Sequence, residues 1–68
     1  VSFAAVLRCT EGEVELVGEV LFGLGATAVV ERPAEDGRVE LEFDLDGPAL
    51  AELRRRGLEP EVVARDDS

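Results

Sequence analysis

Carboxylates dominate the residues of this chain that could do chemistry. Glu40, Glu42 and Asp44 recur at period two, so a strand carries all three on one face. Paired carboxylates run acid–base reactions only where a pocket pushes their pKa values apart, and a wet strand face does not. They could hold a hard cation, yet no ligand run of the calcium-loop kind accompanies them. The row is therefore read as solvated or partner-facing. Cys9 is the only thiol, and no histidine exists to activate it as a nucleophile or to complete a zinc set. It is expected to be a small packing residue. Gly23-Leu24-Gly25-Ala26-Thr27-Ala28 spells G-x-G-x-x-A, but a phosphate loop must follow a strand and open a helix. Here the glycines close a helix and lead into a strand, the reverse polarity. Arg54-Arg55-Arg56 is expected to sit in a last helical turn, where cations oppose the dipole. No catalytic, cofactor-binding or metal site is assigned.

The setting agrees with a passive role. A chain of 68 residues is one domain at most. It buries only about 60% of its unfolded surface. One cysteine excludes an internal disulfide, so contact with a second copy or with further chain is the expected supplement. Sixteen acidic residues against seven basic give a net charge of −9, which disfavours nucleic acid and anionic membrane and permits a basic partner. No apolar run approaches the ~18 residues of a spanning helix, and no basic segment precedes a hydrophobic stretch. A single cysteine fits a cytoplasmic setting. Val1 opens directly into a strand-like run and the chain stops at Asp66-Asp67-Ser68, so residues 1–68 are expected to be one domain of a longer protein.

The elements that position these residues follow from pattern. Val1–Cys9 reads as a strand with Phe3, Ala5, Leu7 and Cys9 on one face. Thr10 and Glu13 have capping-box spacing, and Val14, Val17, Leu21 and Leu24 form the apolar stripe of a helix from about Glu11 to Leu24, stopped by Gly25. Thr27–Arg32 is a second strand ended by Pro33, and Ala34-Glu35-Asp36-Gly37 is a turn. Arg38–Asp44 alternates Val39, Leu41 and Phe43 against its acids. Asp46-Gly47-Pro48 opens a second helix with Ala49, Leu50 and Leu53 buried. Gly57 stops that helix. Leu58–Arg65, with Pro60 near its start, is a short edge strand. The order β-α-β-β-α-β with right-handed crossovers predicts an α+β ferredoxin-like sandwich: an antiparallel sheet in order 4-1-3-2 with two helices on one face.

That architecture leaves one sheet face without helices. Alternation assigns it Ser2, Ala4, Val6 and Arg8 from the first strand, Val29 and Glu31 from the second, and Glu40, Glu42 and Asp44 from the third. Val63 and Arg65 are added from the fourth. A partly apolar patch of Ala4, Val6 and Val29 rimmed by Glu40, Glu42 and Asp44 is the candidate partner-binding surface.

The run Leu24-Gly25-Ala26-Thr27-Ala28-Val29-Val30-Glu31-Arg32, following a helix that begins Thr10-x-x-Glu13, resembles the amino-terminal domain of ribosomal protein L-eleven methyltransferases. The ending Arg65-Asp66-Asp67-Ser68 is similar to that family's passage into its linker. The resemblance implies a non-catalytic domain that recognises a basic ribosomal protein. It also implies a separate catalytic domain of the same chain, which binds S-adenosylmethionine and methylates amines. None of that domain's residues falls within these positions. The chain is also similar to amino-acid-binding ACT regulatory domains, which pair side by side, although Glu11-Gly12 stands where those carry proline-glycine. A plain ferredoxin-like dimerisation module is the third reading.

Overall fold

Small and aliphatic residues at alternate positions turn one side of the first strand inward. β1 (Ser2–Thr10) buries Ala5, Leu7 and Cys9, while Arg8 and Thr10 stay exposed. A single 3₁₀ turn, Glu11–Glu13, leads into α1 (Val14–Gly23). Then come β2 (Val29–Pro33), β3 (Arg38–Leu45), α2 (Gly47–Arg55) and β4 (Glu61–Asp66). The computed structural model describes residues 2–66. Val1, expected in the first strand, and Asp67-Ser68 of the acidic ending lie outside the described residues.

Both helix starts are written in side chains. Thr10 and Glu13 close a capping box: Glu13 Oε1 accepts from the Thr10 backbone N–H at 3.1 Å and from its hydroxyl at 2.9 Å. Those bonds favour the charged carboxylate and hold the Glu13 pKa below its ordinary value, the backbone bond acting most strongly. The expected first helical turn tightens into the 3₁₀ form, which satisfies orphan donors at short range. Asp46 caps α2 by accepting from the Ala49 N–H at 2.9 Å, with Pro48 in the first turn, where its missing donor costs nothing.

Both helix ends use one device. In α1 the Ala26 N–H donates to Leu21 C=O at 3.0 Å and the Gly25 N–H to Phe22 C=O at 3.1 Å. In α2 the Leu58 N–H donates to Leu53 C=O and the Gly57 N–H to Arg54 C=O, both at 3.1 Å. These are Schellman pairs, and they require a left-handed residue after the last turn. Gly25 has φ 106° and Gly57 φ 85°, values that other residues rarely adopt. The glycines of the G-x-G-x-x-A run therefore lie at a helix C-terminus, where carbonyls and not N–H groups point outward.

Hydrogen bonding orders the four strands β2-β3-β1-β4, with every neighbouring pair antiparallel. Both helices cover one face of the sheet. Leu41, Phe43 and Leu45 of β3 join Ala5, Leu7 and Cys9 beneath Val17 and Leu21 of α1 and Ala49, Leu50 and Leu53 of α2. Among the described residues no polar side chain is buried.

The hairpin between β2 and β3 departs from the sequence expectation by one residue. Asp36 (φ 62°, ψ 31°) and Gly37 (φ 71°) are both left-handed, the requirement of a type I′ turn closed by the Arg38 N–H on Glu35 C=O. A ladder running straight out of that turn sets Val29 opposite Asp44 and Glu31 opposite Glu42. Instead the Ala34 N–H also bonds Arg38 C=O, at 2.9 Å, so Ala34 and Glu35 share one partner. The extra residue shifts the register, and Val29 pairs with Phe43, Val30 with Glu42, Glu31 with Leu41 and Arg32 with Glu40. A shift of one residue sends each side chain to the opposite face. Val29 and Glu31 thus occupy register positions of the helix-covered side, contrary to the assignment from alternation, and Val29 packs against the core.

Two outcomes test this account of the helix starts. Asp46→Ala should lower stability by about 1 kcal/mol, read as a shift in urea midpoint at unchanged slope. For Glu13 the folded pKa is depressed, so its contribution is present above the unfolded value of about 4.3 and is lost as pH falls through the native one. The gap in melting temperature between the parent chain and Glu13→Gln should therefore be seen at neutral pH and close in acid.

Candidate functional site

The helix-free face is assembled in layers by strand register. Nearest the β2–β3 turn, Arg32, Glu40 and Arg8 lie side by side across three strands. The next layer is Val30, Glu42, Val6 and Glu61, and beyond it come Asp44, Ala4 and Ala64. Ala4, Val6, Glu40 and Glu42 are half-buried on this face, and Asp44 is exposed. Five of the six residues assigned to the surface are therefore together. The sixth, Val29, is replaced by its neighbour Val30, which is 46% exposed.

β4 contributes differently from the expectation as well. Ala4 pairs with Ala64 but Ala5 pairs with Val62, so Val63 is the extra residue of a bulge. It is exposed at the sheet edge, where a bulge discourages pairing with another chain. Ala64 and Glu61, not Val63, extend the apolar and acidic layers. Arg65 is opposite Phe3 in the ladder.

Arginines alter the electrostatics of the acidic row. Arg8 Nε lies 3.4 Å from Glu40 Oε2, and Arg32 Nη2 lies 3.6 Å from Glu42 Oε2. Exposed pairs of this kind add little stability, about 0–1 kcal/mol, but they neutralise charge locally. The turn end of the face is thus balanced. Asp44 and Glu61 have no ion-pair partner among the described residues, so the field is negative toward the opposite end.

Of the row's carboxylates, Glu40 and Glu42 are half-buried and each paired with an arginine, and Asp44 is exposed. Among the described residues no three acidic or thiol groups converge to hold a metal ion. Cys9 faces the core, and burial raises its thiol pKa, with the charges of Glu13 and Glu31 adding to the effect. That is the opposite of what a nucleophilic thiolate needs. A cleft of about 350 Å³ opens between β1 and the α2–β4 loop, lined by Val6, Arg8, Leu58, Glu59 and Glu61 among others. It offers charges of both signs, from Arg8 and from Glu59 and Glu61. Among the described residues no helix is long and apolar enough to cross a membrane.

Sequence reasoning missed Val30, Arg32, Glu61 and Ala64. Alternation marks the two faces of a strand but not which one is buried; for β2, where Val29 and Val30 are both apolar, only the turn geometry decides. No protein-family model, curated protein or solved structure matches this chain. The chemical assignment of Cys9 is checked by alkylation. Under native conditions iodoacetamide should modify it far more slowly than a free cysteine, and urea unfolding should restore the full rate.

Proposed function

We propose that this chain is a recognition domain with no reaction of its own, which holds a basic protein for chemistry carried out elsewhere. The observation that carries the reading is the open sheet face, where half-buried Ala4 and Val6 and exposed Val30 adjoin Glu42, Asp44 and Glu61. An apolar centre with a charged margin is the usual anatomy of a protein-binding surface. The negative end of the face favours a cationic partner and speeds its capture.

The fold we assign is ferredoxin-like. Two features support it: the strand order, read from β4, is 4-1-3-2, and both helices pack on one side of the sheet. Within that fold we assign the domain to the amino-terminal part of a ribosomal protein L-eleven methyltransferase. Its partner is then the basic ribosomal protein substrate, and the S-adenosylmethionine site belongs to a separate catalytic domain in the cytoplasm. The support is the resemblance of the helix-to-strand passage, whose Thr10–Glu13 cap and Gly25 exit both form. A second reading, an ACT-type amino-acid-binding domain, draws on the cleft between β1 and the α2–β4 loop. Arg8 with Glu59 and Glu61 could receive the two ends of a zwitterion there.

Titration calorimetry with the isolated basic ribosomal protein tests the first reading. Binding should weaken about tenfold or more in Val6→Asp, with unchanged circular dichroism. Exchange of Glu40, Glu42 and Asp44 for Lys should slow capture and invert its salt dependence. Unaltered binding of the triple variant at low salt sinks the surface assignment. Thermal stabilisation by free amino acids, with no binding of the ribosomal protein, selects the second reading.

A further inference from the structure

The two helices treat their outer sides differently. α2 buries Ala49, Leu50 and Leu53 and turns Pro48, Arg54 and Arg55 to solvent, with Ala51 half-buried between them. α1 buries Val17 and Leu21, yet its outer side also carries two large apolar side chains, Leu16 at 65% exposure and Phe22 at 56%, flanking the acids Glu15 and Glu19. Large exposed apolar side chains beside charged ones are the anatomy of a contact with a second surface. Leu16, Glu19 and Gly23 follow one another at helical spacing, as do Glu15, Glu19 and Phe22, so they make one continuous outer face. That face lies away from the stripe packed on the sheet, and no further element of the described chain covers it.

The charges of the two outer faces are complementary. Glu15 and Glu19 on α1 have no basic neighbour on their own helix and no ion-pair partner among the described residues. The outer face of α2 presents Arg54 and Arg55. Its one carboxylate, Glu52, is already 3.8 Å from Arg55.

We propose that the occupant of α1 is a second copy of this chain. The Leu16–Phe22 face of one protomer docks on the Pro48–Arg55 face of α2 in its partner. A two-fold axis makes the contact twice, since each protomer offers both halves. The arginine stems cover Leu16 and Phe22, and their guanidinium groups meet Glu15 and Glu19. A standard interface takes about 800 Å² per partner, under a fifth of the 4571 Å² surface. Each chain carries −9, but repulsion between whole molecules is screened beyond about 8 Å at physiological salt, whereas the contact pairs lie inside that distance. The contact is on the opposite side from the open sheet face and stands independently of the recognition reading.

Sedimentation equilibrium of the 68-residue chain tests it. The apparent mass should rise with concentration from 7.3 kDa toward twice that value. Phe22→Glu and Leu16→Glu should sediment as folded monomers, because both side chains are exposed. The double variants E15R/E19R and R54E/R55E should each weaken self-association about tenfold or more. Mixed together, they should recover a heterodimer, because each then presents the charges the other lacks. A parent chain that stays monomeric through millimolar concentration overturns the proposal. So does a dimer that survives each charge exchange alone, and so does a mixture that fails to associate.

Discussion

The antiparallel pairing of β1 with β3 is the contact on which the remaining structure depends, because it makes the floor on which both helices rest. The ladder runs unbroken from Phe3 opposite Leu45 to Thr10 opposite Arg38, in the centre of the sheet. It sets Ala5 beside Phe43, Leu7 beside Leu41 and Cys9 beside Val39, one contiguous apolar strip under α1 and α2. So small a chain has apolar residues enough to cover one side of a sheet and not two. Its other side is left for Ala4, Val6, Glu40, Glu42 and Asp44. The core and the candidate surface are thus two consequences of the same ladder.

Local devices make that ladder reachable. Capping at Thr10–Glu13 and at Asp46, with left-handed glycines at both helix exits, begins and ends each helix within a few residues of the strand it must reach. Each Schellman pair bonds the second residue after the cap back to a buried leucine, Leu21 or Leu53, so the chain leaves each helix already anchored to the core. These bonds span short sequence separations and need no distant partner.

The functional character follows from what the ladder exposes. Among the described residues no charged side chain is buried, and the one thiol lies where its charged form is disfavoured. The arginine pairs at Glu40 and Glu42 restrict the negative field to the Asp44 and Glu61 end of the face, a distinction invisible to net charge.

Element order, helix limits, the buried stripes of α1, α2, β1 and β3, and five residues of the candidate surface were legible in the sequence. Each rests on a periodicity or a capping signal contained within a few residues. The outer side of α1 was not: Glu15 and Glu19 mark it as polar by pattern, and the structure leaves Leu16 and Phe22 exposed beside them. The face of β2 was not, because it hangs on whether Glu35 is part of the turn or an extra residue beside it. Val29-Val30 offers an apolar side chain to either outcome. Only the bonds of Ala34 and Glu35 to one Arg38 select Val30 for the open side. The bulge at Val63 and the Arg–Glu pairs likewise depend on which residues stand opposite one another across strands. What the sequence determined by itself is what neighbouring residues can settle among themselves. Register between strands, and the charge of the surface it builds, was decided by tertiary structure, because one residue of slip exchanges the two faces.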